Sequence, residues 1–128
     1  MRVIALILIA AIALLHFYIA WFEIFLWTTR GPEVFTHFPV ELFEKTKSMA
    51  ANQGIYNAFL AVGLSWSLLI KDKKWQEKVA ICFLLFVAVA GIFGALTVTI
   101  KILIIQAVPS IIALVLLLRS RRQSESNT

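Results

Sequence analysis

The chain reads as an all-α polytopic membrane protein, four transmembrane helices in a bundle with a short outer amphipathic segment between the first and second. Three observations predict this. Hydrophobic residues make up 61% of the 128 and mean hydropathy is +0.90, well above a soluble domain. The apolar residues gather into four runs of roughly 17 to 25, and about 20 helical residues cross the ~30 Å hydrocarbon layer. The basic residues behind the net charge of +5 stand in short clusters between these runs rather than on one face. They read as topology signals, and no nucleic-acid partner is expected. The single Cys82 lies inside an apolar run, which leaves no intramolecular disulfide and no cysteine metal motif.

The first run covers residues 3–27 behind Met1-Arg2, a start like the basic region of a signal peptide. Ala11-Ile12-Ala13 has the small-x-small cleavage form, but the apolar run continues through Leu14, Phe17, Tyr18 and Trp21, so the reading is a retained first span. Residues 28–48 follow. Gly31-Pro32 and Phe38-Pro39 are expected to break any helix there, and Arg30, Glu33, Glu41, Glu44, Lys45 and Lys47 place the segment in water or headgroups. Val34, Phe35, Phe38, Val40, Leu42 and Phe43 give it an apolar side. A short surface-lying helix starting at Pro39 and running into the second span satisfies both.

The second span is expected over residues 49–70, closing on the basic turn Lys71, Asp72, Lys73 and Lys74. The third covers 78–97, and the chain must reverse between Thr97 and Ile102, where Thr97-Val98-Thr99 is poor helix material. The fourth ends at Leu118. The transmembrane domain is thus 1–118, followed by a basic, polar tail over 119–128 that is expected to be disordered.

Four spans place both termini on one side. With that side cytoplasmic, Arg2, Lys71, Lys73, Lys74, Lys78, Arg119, Arg121 and Arg122 are inside, against Arg30, Lys45, Lys47 and Lys101 outside. The positive-inside rule selects this orientation in the cell membrane. Trp21 and Trp27 then mark the outer interface, and Trp66 and Trp75 the inner one.

Polar residues inside the spans need a reason, because an unpaired amide in hydrocarbon costs several kcal/mol. Asn52, Gln53, Tyr56 and Asn57 fall within an arc of roughly 140° on one helix, so they can face a neighbour together. Asn52, Tyr56, Gly63 and Ser67 are expected to turn toward the first and fourth helices, leaving Ile55 on the lipid side. Glu23, Gln106 with Pro109, and Lys101 fall in the same outer half. His16 lies deeper on the face of Glu23, seven residues earlier. The polar cluster is therefore His16, Glu23, Asn52, Gln53, Tyr56, Asn57 and Gln106, serving either as interhelical hydrogen-bonding glue or as the lining of a site. Pro109 frees the carbonyl of Ile105 from its amide donor, a local adjustment of the helix. Gly91 and Gly94 read as close-packing points. His37 and Glu41 at helical spacing are too few for a metal, so no metal and no cofactor is expected. No phosphate loop, nucleophile elbow or His-Glu-x-x-His is present, and catalytic residues are not assigned.

His16, Tyr18 and Ile19 with Glu23, the run Ala51-Asn52-Gln53-Gly54-Ile55-Tyr56-Asn57, Gly94-Ala95-Leu96-Thr97, and Gln106 with Pro109 carry a likeness. Together they resemble the small bacterial membrane proteins catalogued as domain of unknown function thirteen hundred and four. The likeness covers nearly the whole chain up to Leu118. Ala58 and Ser110 depart from it, standing where Gly and Ala are expected. It implies a four-helix integral membrane protein and brings no activity. The residues themselves favour binding or carrying a small amphipathic or lipid-like molecule in the outer half of the membrane. The alternatives are a proton-coupled exporter acting as a homo-oligomer, a structural partner of a membrane complex, and a lipid-modifying enzyme.

Overall fold

The computed structural model describes residues 1–125, and these form helices and short turns only. Helix α1 (Arg2–Trp21) passes through a π turn (Phe22–Leu26) into α2 (Trp27–Val34). Then come α3 (Val40–Leu69), α4 (Lys73–Thr97), a second π turn (Leu103–Ala107) and α5 (Val108–Glu125). The runs Arg2–Val34, Lys73–Thr97 and Leu103–Gln123 are long and apolar enough to cross a membrane. At 30 residues α3 is the longest helix, but it is less apolar, because Asn52, Gln53 and Asn57 stand where the others carry aliphatic residues.

The four long helices pack in cyclic order, α1 on α3, α3 on α4, α4 on α5 and α5 on α1. The contact surfaces are built from small residues. Ala5, Ala13, Ala61, Ala80, Ala107 and Ala113 are buried, whereas Val3, Ile7, Leu14, Phe59, Phe93 and Leu96 are exposed. A water-soluble protein would place the large apolar residues inside. Small residues at the contacts and large ones outside suit helices that associate by close backbone approach in a solvent as apolar as leucine. Ile9, Ile12, Leu64, Leu84, Val87 and Leu117 fill the middle of the core.

Several boundaries differ from those the residues suggested. Gly31-Pro32 does not break the first run, which stays helical to Val34. Pro32 lies near the end of α2, where the missing amide costs one bond, and the amide of Phe35 donates to the Gly31 carbonyl at 2.8 Å. The direction of the chain changes instead at Leu26, whose φ of −115° and ψ of 1° are not helical. Phe22 and Phe35 are thirteen residues apart, which a straight helix would separate by about 20 Å. Their ring centroids lie 6.3 Å apart, so α2 folds back over the end of α1 as an elbow.

Helix α3 is continuous from Val40, with Pro39 just outside it, so the expected surface helix and second span are one element. It is held to the elbow by Trp27, whose ring lies 5.2 Å from Phe43 and 5.5 Å from Phe35, while its indole N–H donates to Thr46 Oγ1 at 3.0 Å. A Cβ on Gly31 would fall 2.5 Å from the Phe43 ring, so glycine is what allows Phe43 to be buried there. Helix α4 starts at Lys73 rather than 78, because Asp72 caps it by accepting from the amide of Trp75 at 2.7 Å. The reversal after Thr97 lies where expected, with the amides of Val98 and Thr99 both donating to the Gly94 carbonyl. The tail expected to be disordered from 119 onward is helical as far as Glu125, and residues 126–128 lie outside the described residues.

Candidate functional site

The two π turns organise the polar residues. One holds Glu23 and the other holds Gln106. A π turn widens the helix by one residue, loosens the local amide ladder and rotates the side chains that follow. The second ends two residues before Pro109, whose missing amide the wider turn accommodates. Each turn rests on a glycine of the neighbouring helix. A Cβ on Gly54 would come within 2.7 Å of Ile24 Cγ1, 3.0 Å of the Ala20 carbonyl and 3.2 Å of Glu23 Cβ. On Gly91 it would come within 2.7 Å of the Ala107 amide nitrogen. Gly91 and Gly94 are close-packing points, as expected.

Gly54 draws α3 onto the first π turn, and Asn57, one turn further along, then meets Glu23. Asn57 Nδ2 donates to Glu23 Oε2 at 2.8 Å, and also to the carbonyl of Gln53 at 3.3 Å. Asn57 is buried and Glu23 half-buried. Among the described residues no cation pairs with Glu23, which meets a neutral amide only.

The other predicted residues are not gathered around this pair. Asn52, Gln53 and Tyr56 are exposed, with Tyr56 packing its ring against Phe59. The expected inward stripe of Asn52, Tyr56, Gly63 and Ser67 is therefore half correct: Gly63 and Ser67 are buried, Asn52 and Tyr56 are not. The inward face of α3 runs through Ala50, Gly54, Asn57, Ala61 and Leu64, and Gly54 gives it close contact with the end of α1. Ile55 is exposed, as expected. Gln106 is half-buried in its π turn.

His16 is fully buried in α1. Its Nδ1 lies 2.8 Å from the carbonyl of Ile12, which can only accept, so Nδ1–H is the donor. In the neutral ring Nε2 is then a bare acceptor, and among the described residues it has no hydrogen-bond partner. The buried hydroxyls differ: Ser67 donates to the Leu64 carbonyl and Ser110 to that of Ala107, each within its own helix.

A second polar contact went unnoticed in the sequence. Arg2 forms an ion pair with Glu77 and donates to Gln76 Oε1, joining the starts of α1 and α4. Glu77 and Gln76 are buried although they lie among Lys73, Lys74 and Lys78. An acidic residue in a basic segment, opposite the lone charge that opens α1, was the available signal.

Comparison with known proteins adds kinship to this geometry. The profile of a family described as "Protein of unknown function (DUF1304)" matches residues 10–118. An "Uncharacterized protein YpaA" from Lactococcus lactis subsp. lactis (strain IL1403) is 26% identical over 117 residues, which covers 90% of this chain and 97% of the relative. No solved structure matches the chain. The matched residues include both π turns, His16, and the Glu23 and Asn57 pair with the glycine that brings it together, and the chain belongs to the DUF1304 family.

Proposed function

We propose that this protein is a four-span integral membrane protein of the cell membrane, with both termini in the cytoplasm. In this reading it binds a small amphipathic molecule in the outer half of the membrane, at the polar site centred on Glu23 and Asn57. The observation that carries the proposal is the half-buried Glu23 carboxylate, set in a π turn with a neutral amide as its partner. An amide satisfies one lone pair and cannot neutralise the charge. A carboxylate in a membrane span therefore favours a bound group that donates hydrogen bonds or carries positive charge. Asn52, Gln53 and Tyr56, exposed on the same stretch of α3, offer further polar contacts to such a molecule or to a second copy of the chain.

The spacing of the two polar contacts supports the placement. Arg2 and Glu23 are separated by 21 helical steps, about 31 Å and close to the hydrocarbon thickness. The Arg2, Glu77 and Gln76 contact then lies at the cytoplasmic boundary among the basic clusters, and the Glu23 and Asn57 pair at the outer one. Helix α3 is about 45 Å long. It spans with its charged first turns standing beyond the membrane, which supplies the fourth span and the outer segment.

A second reading, a proton-coupled exporter, is favoured by the unpartnered Nε2 of His16, about 10 Å below Glu23 along the same helix. Native mass spectrometry of gently extracted wild type and Glu23→Gln tests the first reading. A bound amphipathic molecule on wild type that disappears from a variant of unchanged thermal stability is the expected result. Equal occupancy in both proteins rejects it.

A further inference from the structure

The elbow between α1 and α2 forms an open groove of about 450 Å³, whose lining includes neither Glu23 nor Asn57. It is lined by Tyr18, Trp21, Phe22 and Leu26, and from α2 by Thr29, Arg30, Glu33 and Val34. Tyr18 and Trp21 are about half exposed. Such aromatic rings with polar edges belong where hydrocarbon meets headgroups. Arg30 and Glu33 form an exposed ion pair at 3.2 Å, one turn apart on α2. The groove thus combines apolar side chains, two amphipathic aromatics, and one positive and one negative group. Its volume is in the range of ligand pockets.

We infer that this elbow is a binding site for one zwitterionic phospholipid of the ethanolamine type. The charge pattern selects the headgroup. Arg30 presents a planar fork that matches the phosphate, and Glu33 accepts hydrogen bonds from the primary ammonium. An acyl chain lies along Phe22 and Leu26. A choline headgroup has no N–H to give Glu33, and a glycerol headgroup offers it only neutral hydroxyls, with no cation to offset the carboxylate charge. Binding exchanges the exposed Arg30 to Glu33 pair, which contributes little on its own, for two pairings with the lipid.

The test is lipid retention by native mass spectrometry after release from nanodiscs of equimolar phosphatidylethanolamine, phosphatidylcholine and phosphatidylglycerol. Wild type, Arg30→Ala, Glu33→Ala and Glu23→Gln are compared. Wild type is expected to retain one phosphatidylethanolamine in preference to the other two. Each elbow variant should lose that preference by about tenfold, a change of roughly 1.4 kcal/mol. Both residues are exposed, so folding should be unaffected, and thermal unfolding of each variant checks this. Glu23→Gln should retain the phospholipid fully, which separates this site from the one proposed above. Equal retention of the three lipids by wild type, or unchanged retention by Arg30→Ala and Glu33→Ala, overturns the assignment. A groove residue enlarged by Leu26→Trp gives a further check: the lipid should be excluded while both charges remain.

Discussion

Asn57 and Glu23 meet across the α1 and α3 interface because Gly54, three residues before Asn57, lets the backbones close. Asn57 Nδ2 donates to Glu23 Oε2 at 2.8 Å, while a Cβ at position 54 would reach 3.0 Å from the Ala20 carbonyl. The hydrogen bond and the close contact are therefore one feature, and they should fail together.

Gly54→Ala is expected to destabilise the extracted protein by about 1–3 kcal/mol, the usual range for overpacking. Backbone and the branched Ile24 both stand in the way. Gly94→Ala should cost less, since the added methyl would meet only the Ile102 side chain, at 3.0 Å. Thermal unfolding in mild detergent ranks the two, and the reverse order would contradict the packing described.

Asn57→Leu leaves the Glu23 carboxylate half-buried without a donor, and a loss of roughly 1 kcal/mol is expected, the scale of membrane hydrogen bonds. Asn52→Leu should be neutral or slightly stabilising, because Asn52 is exposed. Side-by-side melting of the two variants distinguishes them. A larger loss for Asn52→Leu would show that its side chain has a partner, such as a second copy of the chain.

Arg2→Ala removes the partner of a buried acid. The expected loss is about 1–3 kcal/mol, because Glu77 and Gln76 stay buried and unsatisfied. The double variant Arg2→Ala with Glu77→Leu should recover part of it, as the buried charge goes too. A double variant no more stable than Arg2→Ala alone would mean that the unpaired Glu77 charge is not the source of the loss.

His16→Leu removes an acceptor that has no donor, so stability should be unchanged or raised by up to about 1 kcal/mol. If the imidazole carries protons, the same variant loses proton-coupled transport in reconstituted vesicles while remaining folded. A clear loss of stability would instead reveal a partner for Nε2.

Reporter fusions at Lys73 and Glu41 check the orientation. A cytoplasmic signal at Lys73 and an external one at Glu41 are expected from the eight basic residues assigned inside against four outside. The opposite pair of signals would move Glu23 to the inner half and remove the basis for an outer site.

The helical class, the reversal near Thr99 and the close-packing role of Gly91 and Gly94 were legible in the chain. Run length, helix propensity and the small size of glycine are local properties, and each residue carries its share of them. The family was legible too, through the polar run from Ala51 to Asn57 and its companions. What the residues could not reveal is which polar groups meet. Asn52, Gln53, Tyr56 and Asn57 share a broad arc, and a sequence pattern treats the whole arc as one face. The buried line of Ala50, Gly54, Ala61 and Leu64 is narrower than that arc, so Asn57 is taken in and the other three are left outside. The first π turn escaped for a related reason, since it rests against Gly54 of the neighbouring helix, whereas the second lies where Pro109 pointed to a local adjustment. The elbow at Leu26 likewise depends on Trp27, Phe35 and Phe43 coming together from α2, the turn after it and α3. Local composition thus determined which segments are helical and apolar, and the backbone distances between helices decided which of their side chains form a site.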